Sequence, residues 1–532
     1  MKTNISILIV LLSSFLVPIH SFAQNNNGGG NSSALVLAIV GLAVFIFLIW
    51  LADGLQSAKP KGLLANLLKP NAPKYTKGLP VVNLKQGHEI RLKGEAEKEL
   101  LKESKIATYA IQPTNFIGLS PIPKMNVEVG EEVKAGDSLF FDKKQPNIQF
   151  CAPVSGEIIA INRGEKRAIT EVVILADKEV QYRDLGKIDI ESASREEVVT
   201  YMADHGLWPL IQERPFKIMP SLDTVPRDIF ISTFDTAPLA PDLDFVVEGK
   251  GAAFQMGLDV LGKLTPGRVH LGLNANHKNA PSKVFTEATG VDKVYFKGVH
   301  PAGNVGVQIH HIAPIQSGEK VWTLGVQEVI NIGQTFLNGQ LDMSRLVAVT
   351  GSEVDDTGYI STYAGANIGD LDKGNLEDDH TVRLISGDVL SGIQKEESAF
   401  LNFQDDQLTV VKEGDYYEMF GWLVPDKARP TVSRSYLSYF TANKKKFVAD
   451  TNNHGEERAF VVTGQYEHLL PMDIYPQHLL KSILTGDLER MEGLGINELV
   501  EEDIALCEFA CTSKQPLQHI LRSGLDMMRE QL

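Results

Sequence analysis

The sequence predicts a multidomain α/β protein that is preceded by one or two membrane segments. Two apolar runs lie near the N-terminus, at 5–17 and 34–51, and the second has no charged residue. Beyond them, short β-type runs broken by glycine and proline are followed by alternating strand and helix patterns, and then by a helical C-terminus. Strands that alternate with helices are typical of an α/β layer with parallel strands. These observations divide the chain into a membrane part and a large folded body.

The first 33 residues have the pattern of a targeting segment and a linker. Residues 1–23 combine Lys2, a short apolar stretch and small residues near Ala23, which is typical of a signal peptide. Residues 24–33 are an uncharged, Asn-, Gly- and Ser-rich linker. If the first segment is cleaved, the product crosses the membrane once; if it is retained, the two apolar runs form a helical hairpin.

The second apolar run predicts a transmembrane helix. As an α-helix, 34–51 is roughly 27 Å long at 1.5 Å per residue, close to the bilayer core of about 30 Å. Residues 52–83 are rich in lysine and proline and are expected to form a stalk. Because positive residues flank the cytoplasmic side of a span, we expect an inner-membrane protein whose bulk faces the cytoplasm.

Composition excludes some functions for the body. The chain has 532 residues and a formal net charge of −16, whereas nucleic-acid binding requires a basic face. Its three cysteines, Cys151, Cys507 and Cys511, are too few for a disulfide framework. A [4Fe–4S] cluster needs four thiolates, so we expect no iron–sulfur centre held by this chain alone.

Residues 84–180 predict a barrel-sandwich (lipoyl-like) domain. The stretches 127–139 and 152–158 alternate short strands with glycine turns, as biotinyl- and lipoyl-type domains do. A lipoyl- or biotin-bearing lysine would sit on a hairpin tip, and Asp142-Lys143-Lys144 is the only candidate. Because Gln145-Pro146 follows the doubled lysines, the string does not look like such a tip. The favoured interpretation is a docking module without a cofactor.

Residues 185–345 predict a Rossmann-like α/β domain. The pattern predicts strands at 229–232, 269–273, 294–296 and 321–324, and helices at 249–264 and 327–337, the last one stopped by Asn338-Gly339.

A dinucleotide site in this domain would need the pattern Gly-x-Gly-x-x-Gly between a strand and a helix. The nearest string begins at Gly249 and has Phe254 in place of the third glycine. It follows 245–248, which is a plausible strand. The favoured interpretation is a helix N-terminus that needs close packing.

Three histidines lie between His300 and His311, but the pattern does not favour a metal site. On a strand, His310 and His311 would point to opposite faces. No carboxylate or cysteine stands at ligand spacing. We therefore predict no metal ligand, and expect a turn that lines a cleft between domains. No motif for a self-contained catalytic site is present, so no catalytic residue is assigned.

Residues 346–396 predict a small separate module, and 397–532 predict a β-rich stretch that ends in helices from about Pro476.

Many strings, in order over some 450 residues, resemble the A subunits of the Na⁺-translocating NADH:quinone oxidoreductase (Nqr) complex. They include Phe140 to Lys144, Ala152 to Gly156, Asp204 to Trp208, Arg214-Pro215-Phe216, Asp235 to Ala240, His300 to Gly303, Leu384 to Gly387, Phe420-Gly421-Trp422, Pro471-Met472-Asp473 and Glu502 to Cys507. The first 83 residues depart from this pattern, because those subunits start directly at the barrel-sandwich domain.

The resemblance implies a cofactor-less subunit of a complex that passes electrons from NADH to quinone and exports Na⁺. It implies an SLBB β-grasp module at 346–396, and FMN, FAD, riboflavin and Fe–S centres in partner Nqr subunits rather than in this chain. If a quinone pocket exists, Phe216, His300 and His310 are its expected lining, because a quinone needs aromatic faces and a hydrogen-bond donor. Two alternatives stay open: a standalone NADH- or flavin-binding oxidoreductase, and a lipoyl or biotin carrier.

Overall fold

The computed structural model describes residues 73–531 apart from 103–104, 373–380, 418–429 and 433–445. The predicted signal segment, linker and transmembrane helix therefore lie outside the described residues. In the part of the chain that is described, no helix combines the length and the apolar character that crossing a bilayer requires.

The first strand, β1 (Val81–Asn83), does not belong to a stalk. It pairs in parallel with a later strand, Asp292–Lys297, and forms one edge of the α/β sheet. Just before it, the ring of Tyr75 packs against that of Tyr295. The assignment of 52–83 to a stalk is therefore wrong for its last residues, because the apolar pair Val81-Val82 is used as an edge strand.

Two small antiparallel sheets form the barrel-sandwich domain. Their orders are β2-β8-β7-β4 and β3-β5-β6. The strands are β2 (Thr108–Ile111), β3 (Lys124–Met125), β4 (Glu132–Val133), β5 (Ser138–Asp142), β6 (Gln145–Cys151), β7 (Gly156–Arg163) and β8 (Ile169–Ala176). Both sheets contribute to one core, in which Leu139 and Phe150 lie in the same cluster as Ile158 and Val172.

The α/β domain has a six-stranded sheet in the order β1-β12-β11-β10-β13-β9, parallel except for β9. Its further strands are β9 (Gln212–Arg214), β10 (Ile229–Ser232), β11 (Val269–Asn274), β12 (Asp292–Lys297) and β13 (Val321–Leu324). Its helices are α1 (Arg195–Asp204), α2 (Leu243–Val246), α3 (Gly251–Leu264), α4 (Lys283–Thr286), α5 (Val305–Ile312) and α6 (Val326–Asn338).

Close packing of α3 against α6 depends on glycine. A Cβ at Gly257 would collide with the carbonyl oxygen of Val329, and one at Gly333 with that of Ala253. The helix α6 ends at Gly339, whose left-handed backbone (φ 70°) matches the predicted stop.

Two local predictions in this domain are wrong. The segment 245–248 is not a strand, because Asp242 caps the short helix α2 with its side chain. His310 and His311 lie on helix α5 rather than on a strand. The parallel strands β12 and β13 lie on opposite sides of β10 and β11, so the chain must cross the sheet between them, and α5 is part of that crossover.

A five-stranded mixed sheet, in the order β15-β14-β18-β16-β17, follows. It contains β14 (Ser344–Gly351), β15 (Gly358–Tyr363), helix α7 (Ile368–Leu371), β16 (Val382–Ser386), β17 (Ile393–Lys395) and β18 (Gln407–Lys412). Because β18 lies between β14 and β16, the sheet extends beyond residue 396, where the β-grasp module was expected to end.

The C-terminal helices form a second core. They are α8 (Pro476–Leu484), α9 (Leu488–Gly493), α10 (Glu501–Ala510) and α11 (Leu517–Glu530). Leu480, Leu506 and Leu521 lie in this core, and Phe216 and Val307 of the α/β domain join it. The C-terminal helices are therefore packed onto the α/β domain.

Candidate functional site

The carboxyl ends of the parallel strands define the place where α/β domains bind ligands. The loop after β10 carries Thr236, and the loop after β12 carries His300. Helix α10 meets this edge, since the amide of Asn304 donates a hydrogen bond to the carbonyl of Glu502 (2.9 Å). We call this region, where loops of the α/β domain contact the C-terminal helices, the junction.

His300 is buried at the junction, with 5% of its surface exposed. Its Nδ1 lies 3.2 Å from the hydroxyl of Thr236, and that hydroxyl accepts a hydrogen bond from the N–H of Gly303. This arrangement favours the tautomer with its hydrogen on Nε2, an atom that has no hydrogen-bond partner among the described residues. Burial lowers the pKa of His300 to about 4, against the opposing influence of Asp388 and Glu502. The imidazole is therefore neutral at pH 7.

Phe216 is buried in the core of the C-terminal helices. Its backbone has φ of 81°, a left-handed conformation, and its carbonyl accepts a hydrogen bond from Arg522 (2.8 Å). The ring therefore contributes to domain packing.

His310 uses both ring nitrogens in contacts with the C-terminal region. Its Nε2 accepts a hydrogen bond from the N–H of Asp473 (3.0 Å), so Nδ1 carries the hydrogen and donates it to Glu498 (2.7 Å). Next to it, Nε2 of His311 donates to the carbonyl of Pro471 (2.7 Å). All three predicted residues thus lie at the junction, but only His300 has a free ring nitrogen.

A shallow surface concavity is lined by Asp487, Glu489, Arg490, Gly493 and Leu494. It contains none of the three predicted residues.

A buried ion cluster at the junction has no counterpart in the sequence-based prediction. Arg214 is almost fully buried and pairs with Asp503 (2.9 Å) and Glu502 (2.6 Å). Lys217 lies 3.7 Å from Glu502. Burial raises the pKa of Asp503 to about 6 even though Arg214 opposes the change. The sequence gives one signal: Arg214 and Glu502 are the first residues of two of the short sequences that resemble the family. Nothing in the sequence indicates that the two side chains contact each other.

The N-terminus of α6 carries a negative charge of the protein. Ligands of such sheets bind where strand order reverses, which here is between β10 and β13, and phosphates bind at helix N-termini of that edge. The helix α6 follows β13, and the carboxylate of Glu328 lies next to Gly325, where a Cβ would collide with it. Arg345, which is buried, pairs with that carboxylate (2.5 Å). The carboxylate of Glu328 would repel a phosphate group at this helix end.

Gly251 begins helix α3, as the helix N-terminus predicted at this string requires. Close packing does not explain the glycines, because a Cβ at Gly251 would make only ordinary contact with Val284 and one at Gly249 would meet no atom within 4 Å. Gly249 instead has a left-handed backbone (φ 74°).

The tip of the barrel-sandwich hairpin differs from expectation. Lys143 and Lys144 form the two-residue turn between β5 and β6, and both are exposed. Asp142 holds the turn, because its carboxylate accepts hydrogen bonds from the N–H of Lys144 (3.0 Å) and of Ser120 (3.3 Å). The two lysines therefore do lie on a hairpin tip; that this tip is not of the lipoyl- or biotin-bearing kind stays a prediction.

The cysteines are structural in character. All three are buried and free, and the hydroxyl of Tyr466 donates to Sγ of Cys511 (2.8 Å). Burial raises the pKa of Cys507 and of Cys151, in the latter case to about 12. Among the residues that the structure describes, no group of three or more His, Cys, Asp or Glu side chains is arranged to hold a metal ion.

A barrel-sandwich domain, a six-stranded α/β domain, a five-stranded mixed sheet and a helical C-terminus define a multidomain protein of the NqrA type. Residues 82–177 match the NqrA N-terminal barrel-sandwich hybrid domain, residues 193–341 the NqrA second alpha/beta domain, and residues 346–397 the NQRA C-terminal domain. The chain belongs to the family of Na⁺-translocating NADH-quinone reductase A subunits.

Three relatives illustrate how complete the match is. The A-type subunit of the Na⁺-translocating NADH-quinone reductase from Saccharophagus degradans is 37% identical over 454 residues. Its counterparts from Yersinia pestis bv. Antiqua and Neisseria meningitidis serogroup B are 36% and 35% identical. In each case the match covers 85% of this chain and 100% of the relative. Among solved structures, an NAD⁺-reducing [NiFe]-hydrogenase in the air-oxidized state matches 66% of this chain and 67% of its own chain. The identity is 12% and the TM-score is 0.32.

Proposed function

We propose that this chain serves as the A-type component of a Na⁺-translocating NADH:quinone reductase, a complex that couples electron transfer from NADH to quinone to Na⁺ export. One observation carries the proposal: relatives bearing that name match over their whole length. The chain is thus a subunit of an oxidoreductase complex, and its partners are the other Nqr subunits.

We propose further that the chain itself holds no redox cofactor, and that FMN, FAD, riboflavin and Fe–S centres belong to its partners. The support is physical. Glu328 places a carboxylate at the N-terminus of α6, at the edge of the sheet where phosphates would bind, and would repel them there. The buried thiols Cys507 and Cys511 are two where a [4Fe–4S] cluster needs four ligands. Flavin absorbance and iron content of the purified chain test this proposal, and a stoichiometric amount of either would contradict it.

A quinone contact, if the protein makes one, is best placed at His300. Its neutral ring offers Nε2 as a donor for a quinone carbonyl, whereas Phe216 and His310 are engaged in packing and hydrogen bonds. Opening of the junction would be needed for the three residues to line one pocket. Photolabelling of the assembled complex with a quinone analogue, followed by peptide mapping, would place the label on or next to His300.

The N-terminal segment is proposed to anchor the protein. Residues 34–51 would cross the inner membrane and keep the body on the cytoplasmic side, close to its partners, which raises their effective concentration. Removal of residues 1–72 is expected to weaken assembly and leave the body folded, because the curated relatives are covered in full by 85% of this chain. Loss of cooperative unfolding in the truncated protein would contradict this role.

The most direct test of the proposed function is affinity purification of the tagged full chain from its native membranes, with mass spectrometry of the co-purifying proteins. Recovery of the flavin-bearing Nqr subunits is the expected result. Their absence from a preparation that contains the folded chain would contradict the proposal.

The carrier alternative now has one supporting observation, the exposed hairpin tip at Lys143 and Lys144. The intact mass of the chain from its native host decides the matter. An unmodified mass removes the alternative, and an added lipoyl or biotinyl group on either lysine would establish it.

A further inference from the structure

One end of the barrel-sandwich domain carries six cationic side chains. We call it the basic end and define it by the exposed residues Lys124, Lys143, Lys144, Arg163, Lys166 and Arg167. Within the described residues none of the six forms a salt bridge. In a chain with a net charge of −16, such a concentration of unpaired cations marks a distinct surface.

The connectivity of the domain brings the six residues together. Lys144 lies on the tip between β5 and β6, and Lys124 pairs across to Phe141 at the foot of that tip. Arg163 and Arg167 lie on the turn between β7 and β8. Ser120 and Pro121 connect the two tips, since the N–H of Ser120 donates to Asp142 (3.3 Å) and the carbonyl of Pro121 accepts from Ile169 (3.0 Å).

Few acidic groups compensate these charges. Glu165 lies in the second turn, and Glu171 nearby accepts a hydrogen bond from Asn162 (2.9 Å). Asp142 is buried and holds the first turn. The exposed surface of the basic end therefore keeps a positive charge.

The opposite end of the same domain is acidic. Glu128, Glu131, Glu132 and Glu157 are exposed there, and Glu132 faces Glu157 across β4 and β7. Since β7 has eight residues, the two ends are roughly 23 Å apart at about 3.3 Å per residue. Such a polarised domain is oriented by an electric field, with its basic end toward negative charge.

We propose that the basic end docks on the anionic phospholipid headgroups of the membrane. A protein interface normally has an apolar core inside a polar rim, whereas among the described residues 119–125, 141–146 and 161–168, which carry the basic end, the exposed large aliphatic side chain is Ile122 alone (39% exposed). Clusters of four to eight Lys and Arg residues at a bilayer recognise anionic lipids by charge alone. The inference rests on the membrane location in the proposed function and needs neither a quinone pocket nor electron transfer.

The test uses the full chain, reconstituted in vesicles of phosphatidylcholine alone or mixed with phosphatidylglycerol. Acetylation of each lysine is followed by peptide mass spectrometry. Lys124, Lys143, Lys144 and Lys166 are expected to be protected in the mixed vesicles and not in the neutral ones, and roughly 1 M salt should abolish protection, because the screening length falls to about 3 Å. Lys178 and Lys187, both exposed outside the basic end, serve as internal controls.

A charge variant sharpens the result. In the double variant Lys143→Gln/Lys144→Gln, protection of Lys124 and Lys166 should fall at least about fivefold, since each cation near an anionic surface changes the binding constant by roughly that factor. The matched variant Lys178→Gln/Lys187→Gln removes the same charge and should leave protection unchanged. The wild-type comparison of the two lipids needs no variant, so a folding defect in either one leaves the proposal testable.

Two outcomes would overturn the proposal. Equal labelling in neutral and anionic vesicles would exclude lipid docking, and protection that appears in neutral vesicles only with the partner subunits would assign the basic end to an acidic protein. Lipid-dependent protection without co-purification of Nqr subunits would leave this inference intact and contradict the proposed function instead.

Discussion

The junction and the basic end both gather charged side chains, but they do so in opposite ways. At the junction, Arg214 and Asp503 are almost fully buried and paired with each other. At the basic end, Lys143 and Lys144 are exposed and form no salt bridge with any residue that the structure describes. Buried charges must be paired, since an unpaired one costs several kcal/mol, while exposed charges contribute little to stability. The difference indicates that the first cluster holds domains together and that the second is available for association.

The largest effect on folding is expected when Arg214 is removed. Arg214→Ala leaves the carboxylate of Asp503 buried without its partner, which should lower the free energy of unfolding by about 3–5 kcal/mol. Urea denaturation measures the loss. Lys98→Gln is the control, because Lys98 pairs with Asp242 on the surface and its loss should cost less than about 1 kcal/mol. Equal effects of the two substitutions would remove the distinction between buried and exposed charges.

The pH dependence of stability tests the burial of His300. Its pKa is about 4 in the folded protein and about 6.5 in the unfolded chain, so the unfolded chain binds the proton first. His300 therefore leaves the free energy of unfolding at its full value above about pH 6.5. As the pH falls toward 4, protonation of the unfolded chain lowers that free energy by about 3 kcal/mol.

The variant His300→Asn isolates that contribution, because Asn keeps a polar atom near the position of Nδ1 and does not titrate. Asp503 titrates in the same range with the opposite sign, because its pKa is raised, but it is present in both proteins. Denaturation at several pH values between 4 and 7 should show that the free energy of unfolding falls less steeply with decreasing pH in the variant than in the wild type. Parallel curves would show that burial does not lower the pKa of His300.

Two glycines on α3 give a smaller effect and a matched control. Gly257→Ala should cost about 1–3 kcal/mol, because the new Cβ would collide with the carbonyl oxygen of Val329. Gly262 lies on the exposed side of the same helix, and a Cβ there meets no atom within 4 Å. Gly262→Ala should therefore raise the free energy of unfolding by about 0.5–1 kcal/mol. Thermal unfolding of both variants checks the opposite signs.

The smallest effect belongs to the basic end. Lys143→Gln/Lys144→Gln should change the free energy of unfolding by no more than about 0.5 kcal/mol, since neither lysine forms a salt bridge within the described part of the chain. A loss comparable to that of Arg214→Ala would mean that the hairpin tip stabilises the fold, contrary to a role in association.

Local patterns predicted the elements of the α/β domain, because its strands and helices are long enough for their periodicity to be clear. The strand Ile229–Ser232 and the helix that ends before Gly339 appear as expected. The strand expected around His310 was wrong for a physical reason. Val305, Val307 and Ile309 alternate as in a strand, but the segment lies in a crossover between parallel strands, and such connections usually contain a helix. Tertiary context overrode the local preference.

The candidate site was predicted less completely than the fold. Phe216, His300 and His310 all lie at the junction, but that they line a quinone pocket stays a prediction. The pairing of Arg214 with Asp503 joins residues 289 positions apart, and no local pattern reports such a contact. The position of Glu328 was also invisible, because a glutamate in the first turn of a helix is ordinary and only the fold shows that it lies at the carboxyl edge of the sheet, against Gly325.

We propose that this chain takes part in the reductase without binding the nucleotide itself, and the carboxylate of Glu328 at the N-terminus of α6 supports the proposal. Fluorescence titration of the purified full chain with NADH and with FMN tests it most directly. We expect no saturable binding up to roughly 1 mM, the upper end of ordinary Michaelis constants. Saturable binding of either ligand in the micromolar range would contradict the claim.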